Sequence, residues 1–243
     1  MNVGFNNLRN LLVEKEINHF STLEKFGNSL EILSIDSAWP NGFYFFPQNE
    51  KDIVSIDLKS INTDLLFFSE THKNLFDFKS LSFRPADIWY SMFTDNLDVS
   101  NYNLTNELEL KNIIEKNEIL FWLQSTELIF FKGNKLSEKL FLNLIKSGNF
   151  EMVSFGHGGD IIGQAFLYYN NDEAGLYFFS IFEKFRMQGF AKKALIYLFD
   201  RISKKGITRL SLQSTRQAKD LYSQVGFKME DRIFVYKKMI HER

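Results

Sequence analysis

From Asp160 to Lys237 the apolar residues alternate between two periods, and that alternation restricts the chain's fold more than any other feature. Asp160–Tyr169 (DIIGQAFLYY) and Leu176–Phe182 (LYFFSIF) read as strands. The segment Asn170-Asn171-Asp172-Glu173-Ala174-Gly175 between them reads as the turn of a hairpin. Gly189–Lys204 then sets Phe190, Ala194, Leu195, Leu198, Phe199 and Ile202 on one helical stripe, and Gly206 stops the helix at its C-cap. Thr208–Gln213 alternates as a strand, Ala218–Val225 is a short helix closed by Gly226, and Ile233–Lys237 is a last strand. This order predicts an α/β (α+β) fold with a mixed central sheet flanked by helices.

The preceding part of the chain is less regular. Asn7 to about Phe26 carries helical spacing, and Leu30–Ile35, Gly42–Phe46, Ile53–Leu58 and Leu65–Phe68 are short strand-like runs. Pro40-Asn41-Gly42 is a turn between two of them. Ser69–Phe78 reads as a short helix and Ile88–Phe93 as a strand. The polar stretch Thr94–Thr105 (TDNLDVSNYNLT) reads as a linker. It divides the chain into a smaller α/β lobe over 1–98 and a second domain over 104–243. A capped start at Thr105-Asn106-Glu107 predicts a helix over Glu107–Asn117, with Ile119–Leu123 a strand or an extension of it. Leu136–Ser147 reads as another helix.

Composition removes several functional classes. Net charge is −1 and no Lys/Arg run exceeds two residues, so neither nucleic acid nor an anionic membrane is recruited by charge. Cysteine is absent, which excludes disulfides, thiolate metal sites and a cysteine nucleophile. His19, His72, His157 and His241 are scattered, so no metal site is expected. The apolar runs are shorter than the ~20 residues of a membrane span, and the first residues lack the order of a signal peptide. A cytoplasmic protein is the expectation. The 27 Phe read as core filling.

The chemistry sits where the second strand ends. Ile181-Phe182-Glu183-Lys184-Phe185-Arg186-Met187-Gln188-Gly189-Phe190-Ala191-Lys192-Lys193 runs from a strand through a loop directly into a helix. A helix N-terminus offers unpaired N–H groups and a positive dipole end, and a diphosphate docks there. Gly189 admits the phosphates, small Ala191 does not block them, and Lys192 and Lys193 add charge. Gly156-His157-Gly158-Gly159 lacks the ending of a phosphate loop and reads as a turn before a strand.

Here the sequence resembles the GNAT superfamily of N-acetyltransferases. Arg186-x-x-Gly189-x-Ala191 matches the family's pyrophosphate signature. Ala218, Leu221, Tyr222, Gly226 and Phe227 match the second motif at its spacing, with Thr215 where the family has Asn. The resemblance implies a GNAT fold, with a mostly antiparallel sheet, and acetyl-CoA as co-substrate. Ile181, Phe182, Arg186, Met187, Gln188, Gly189, Phe190, Ala191, Lys192 and Thr215 would bind the coenzyme. The acetyl group would pass by direct attack to a primary amine of a small molecule, an amino sugar or a protein. Tyr222 would act as general acid, and a backbone N–H near Ile181 would hold the oxyanion. Glu183, Asp160, Glu173 and His157 are candidate bases, of which Glu183 is carried forward. A non-catalytic acyl-CoA-binding module is the alternative; a longer acyl group or an aminoacyl-tRNA donor is a third reading. A homodimer is left open. Asn74-Leu75-Phe76 through Met92 echoes Asp220 through Tyr236, which suggests a degenerate GNAT-like N-terminal lobe that shapes the acceptor pocket.

Overall fold

The computed structural model describes residues 3–26, 29–46, 61, 63–68, 77–102, 104 and 107–239. The predicted strand Ile53–Leu58, most of the predicted helix Ser69–Phe78, Asn74-Leu75-Phe76, His72 and His241 lie outside them. Two helices, α1 (Val3–Leu12) and α2 (Lys15–Phe20), lead into β1 (Ser21–Phe26), β2 (Ser29–Ser34), β3 (Gly42–Phe45), β4 (Leu65–Phe67) and β5 (Phe83–Thr94). Next come β6 (Glu109–Asn112), α3 (Lys116–Phe131), α4 (Glu138–Lys146), β7 (Phe150–His157), β8 (Asp160–Asn170) and β9 (Glu173–Ile181). A 3₁₀ turn (Glu183–Phe185), α5 (Phe190–Ser203), β10 (Arg209–Thr215), α6 (Lys219–Gln224) and β11 (Lys228–Lys238) complete the order.

Two helix expectations are corrected. The helix over Asn7–Phe26 ends early, because Ser21–Phe26 pairs residue by residue with β2, Leu23 opposite Ile32. Cross-strand pairing outweighs a local spacing that two periods both fit. The helix over Glu107–Asn117 is instead strand β6, with Leu110 opposite Phe155 of β7, and helix begins at Lys116. Leu108 is buried while Glu109 and Lys111 are exposed, a period of two that the acidic capping pattern concealed.

All eleven described strands form one sheet, ordered β1-β2-β3-β4-β11-β5-β10-β9-β8-β7-β6. α3 and α4 cover one face through a core that includes Trp122, Phe141, Phe150 and Phe166. α5 and α6 cover the other through Ala165, Leu167, Leu195, Phe199 and Tyr222. Alternate residues of β8 therefore serve opposite cores.

The pairing has an internal symmetry. From β1 inward it runs antiparallel, antiparallel, parallel, antiparallel, ending at β11. From β7 inward it runs the same way, ending at β5. β5 and β11 pair with each other at the centre. Each half thus sends its last strand into the other half's sheet. Residues 95–102 lie outside helices and strands at the predicted division, while the sheet continues across it through β5. A fragment covering 104–243 is expected to lose cooperative thermal unfolding, since β10 and β11 both forfeit β5 as a partner. Calorimetry checks this, and an unchanged cooperative melt would refute it.

Candidate active site

β9 and β10 run parallel and side by side only over Glu173–Leu176 and Arg209–Leu212. Beyond that they part. β9 continues to Ile181 on β8, and β10 continues to Thr215 on β5. A bulge assists the divergence: Gln164 faces Ser180 and Phe166 faces Tyr177, so β9 carries one extra residue, with Phe178 at φ +50°. The Phe182 N–H donates to the Ile162 carbonyl at 2.8 Å. By the alternation of an antiparallel ladder, the Ile181 N–H points away from β8, into the gap. The Ile181 carbonyl accepts from Arg186 Nε at 3.0 Å, which ties the loop to the strand end.

The gap leads to the start of α5. Gly189 is its N-cap at φ +78° and ψ −2°, no side chain caps it, and its first turn holds no acidic residue. A Cβ built at Gly189 meets nothing within 4 Å. The preceding Met187 adopts φ +60° and is fully exposed. Gln188 folds back, its Nε2 donating to the Lys184 carbonyl at 3.2 Å. Ala191 is partly buried and Lys192 exposed. Lys193 is engaged, donating to Glu107 and holding that carboxyl below its usual range. Open space before a run of uncapped amides, with no carboxylate nearby on the helix, is an arrangement suited to a diphosphate.

Tyr222 closes the gap from the α6 side. It is 7% exposed, with its ring 6.3 Å from Phe179 of β9 and 5.5 Å from Phe227. Burial pushes its hydroxyl above the ordinary tyrosine range, so it keeps its proton at neutral pH. Thr215 ends β10, exposed, opposite Trp89.

The base candidates separate. Glu183 is exposed in the turn beside Phe182. Asp160 pairs with Lys184 at 3.7 Å. His157 holds the Glu107 carbonyl through Nδ1 at 2.8 Å and packs on Phe190. Glu173 is excluded by position, since it opens β9, eight residues or roughly 26 Å from Ile181. Burial raises its pKa from 4.5 to about 7, against a 3.1 Å hydrogen bond from Ser211. Below pH 4.5 the carboxyl is neutral folded or unfolded; above pH 7 the folded chain holds a charge that burial disfavours. Glu173→Gln should therefore stabilise the fold above pH 7 by about 1–2 kcal/mol, discounted for partial exposure. Below pH 4.5 it should change little. Urea melts at the two extremes check this; a variant weaker than the parent at high pH would refute it.

The N-terminal half reaches the same region. The Ala38 N–H donates to the Lys135 carbonyl at 2.7 Å, and the Ser137 N–H to Ser37 Oγ at 3.1 Å. Trp39 sits 5.5 Å from Phe178 at the bulge. The sequence marks Trp39 as a core or interface residue and singles out neither Phe178 nor Ser180. A Trp beside the turn signal Pro40-Asn41-Gly42 was the available clue. Among the described residues no group of His, Cys, Asp or Glu could hold a metal ion. Nor is any described helix long and apolar enough to cross a membrane.

Residues 125–241 match the family model described as acetyltransferase (GNAT) domain. This part of the chain, just under half of it, is similar to GNAT acetyltransferase domains. The fold is shared with a GCN5-related N-acetyltransferase from Kribbella flavida, at TM-score 0.70 and 10% identity over 98% of this chain and 96% of that one. A GCN5-related N-acetyltransferase-like protein from Streptococcus suis 89/1591 superposes at TM-score 0.55 and 15% identity, covering 96% of each chain. A GCN5-related N-acetyltransferase from Sphaerobacter thermophilus gives TM-score 0.57 at 13% identity, over 72% of this chain and 59% of that one. No curated protein matches the sequence.

Proposed function

We propose that this protein transfers the acetyl group of acetyl-CoA to a primary amine by direct attack. The observation that carries the reading is the open, uncapped start of α5 at the mouth of the β9–β10 gap. Amides of Met187 to Lys192 would hold the diphosphate, with the exposed Lys192 adding charge. Ile181 and Phe182 would align the pantetheine along β9, with Thr215 across the gap. Arg186 would position the loop through the Ile181 carbonyl. Bound acetyl-CoA would supply the activated thioester. The Ile181 N–H would stabilise negative charge on the acetyl oxygen, and the Tyr222 hydroxyl would hold the proton for the departing sulfur. Glu183, exposed beside Phe182, is the base proposed for the amine, directly or through water.

The symmetric strand pairing supports reading residues 1–98 as a truncated GNAT-like lobe that has exchanged its last strand with the second. Its Ser37–Trp39 loop, with Trp39 against Phe178, would wall the acceptor side of the bulge. The test is thiol release from acetyl-CoA over a panel of amines, including an amino sugar and a peptide N-terminus. Amine-dependent release is the expected result. Tight coenzyme binding with no turnover of any amine would favour a non-catalytic acyl-CoA-binding module.

A further inference from the structure

The register of the sheet sorts the β9–β10 gap into two faces. Leu210 and Leu212 of β10, Ile181 of β9 and Tyr222 all belong to the core beneath α5 and α6. Strand alternation therefore puts Thr215, Ser180 and Phe182 on the other face, that of α3 and α4. The packing agrees: Phe182 lies 6.1 Å from Phe121 of α3. The start of α5 and Tyr222, proposed for the coenzyme, occupy the first face. An amine that attacks the thioester directly approaches from the second.

Strand β5 brings a carboxylate to that second face. Trp89 pairs with Thr215, so their side chains share a face, and Trp89 packs against the core on the α3 side. β10 stops at Thr215, while β5 extends beyond that pair to Ile88, Asp87 and Phe83. The Ile88 N–H is the next that would meet β10 had that strand continued. It donates instead to Asp87 Oδ1 at 2.8 Å. The Trp89 indole Nε1 donates to Asp87 Oδ2 at 3.0 Å. Two bonds thus hold the carboxylate where β10 has ended, on the acceptor face. Asp87 is exposed, and among the described residues no Lys or Arg pairs with it. A carboxylate has about four acceptor sites, so two donors leave room for a cation.

We infer that Asp87 selects the acceptor by holding a second cationic group on it. With acetyl transfer as the reaction, on which this assignment rests, the nitrogen attacked sits near Ile181. β5 is two strand spacings from β9, roughly 10 Å where the strands begin to part. A cation on Asp87 is therefore the far end of the substrate, and the class that fits is a short primary diamine. The strand that carries Asp87 comes from residues 1–98, so the strand exchange gives the smaller lobe a part in the site.

Thiol release from acetyl-CoA with 1,5-diaminopentane and with pentylamine tests this, because the two differ only in the far ammonium. The diamine is expected to have a kcat/KM at least about tenfold higher, carried by KM. Asp87→Asn keeps an oxygen for the Ile88 and Trp89 donors and removes the charge; the preference should fall to about twofold or less. Trp89→Phe removes one of the two orienting donors and should lower the preference by roughly two- to fivefold. Calorimetric titration of the CoA-loaded chain with the diamine reads the same contact without turnover, and binding should be at least about fivefold weaker in Asp87→Asn. Equal kcat/KM for the two amines in the parent would overturn the assignment, as would parental preference or parental diamine binding in Asp87→Asn. Diamine binding that needs Asp87, with no turnover of any amine, would instead overturn acetyl transfer and leave the role of Asp87 standing.

Discussion

Gly189→Asp is expected to lower acetyl-CoA affinity by at least about 100-fold while leaving the chain folded. The new Cβ enters the open space in front of the α5 amides, where nothing lies within 4 Å. Its carboxylate would face the coenzyme's phosphates, and like charges brought together cost several kcal/mol. The backbone contribution is smaller: Gly189 sits at φ +78°, and a non-glycine residue there costs roughly 1–2 kcal/mol. Gly189→Asn separates the two causes, because it carries the bulk without the charge and tolerates the left-handed region. It should lose affinity to an intermediate degree. Calorimetry with acetyl-CoA and a thermal melt of each variant provide the readouts. Parental affinity in the Asp variant would show that the phosphates bind elsewhere.

Tyr222→Phe is expected to reduce kcat by about 10²–10³-fold with little change in KM for acetyl-CoA. The ring contacts with Phe179 and Phe227 survive the change, so packing stays intact and the loss isolates the hydroxyl. The burial that makes the ring a core residue also keeps the phenol protonated, as a general acid requires. The parental rate should show no fall across neutral pH arising from this group. A variant that turns over at the parental rate at every pH would remove Tyr222 from the chemistry.

Legibility followed local determination. The hairpin was readable because Asn171, at φ +56°, tolerates a left-handed turn, but its turn is Asn171-Asp172 alone and Glu173, Ala174 and Gly175, expected in the turn, pair as the start of β9. The helix Phe190–Ser203 was readable because one apolar stripe and two flanking glycines mark its face and ends. The start of α5 was readable for the same reason: its amides, its glycine and its lack of acidic residues are all contiguous. Strand β6 was not, because an edge strand of four residues carries few side chains and its identity comes from pairing with β7. Ser21–Phe26 failed likewise, its partner strand supplying what its own spacing left ambiguous.

Gln164 shows the other limit. Gln164 stands out within the apolar run DIIGQAFLYY, yet nothing local says that Thr126 takes one end of its amide and leaves the other unmet.

Chain order alone thus marked out the class of fold and the loop proposed for the diphosphate, because turns, caps and amphipathic periods act over a few residues. Folding in three dimensions settled which strand separates from which. It also placed β5 between β10 and β11, and brought Trp39 to the bulge of β9. Those outcomes depend on contacts between residues many tens of positions apart, whose pairing no local propensity encodes.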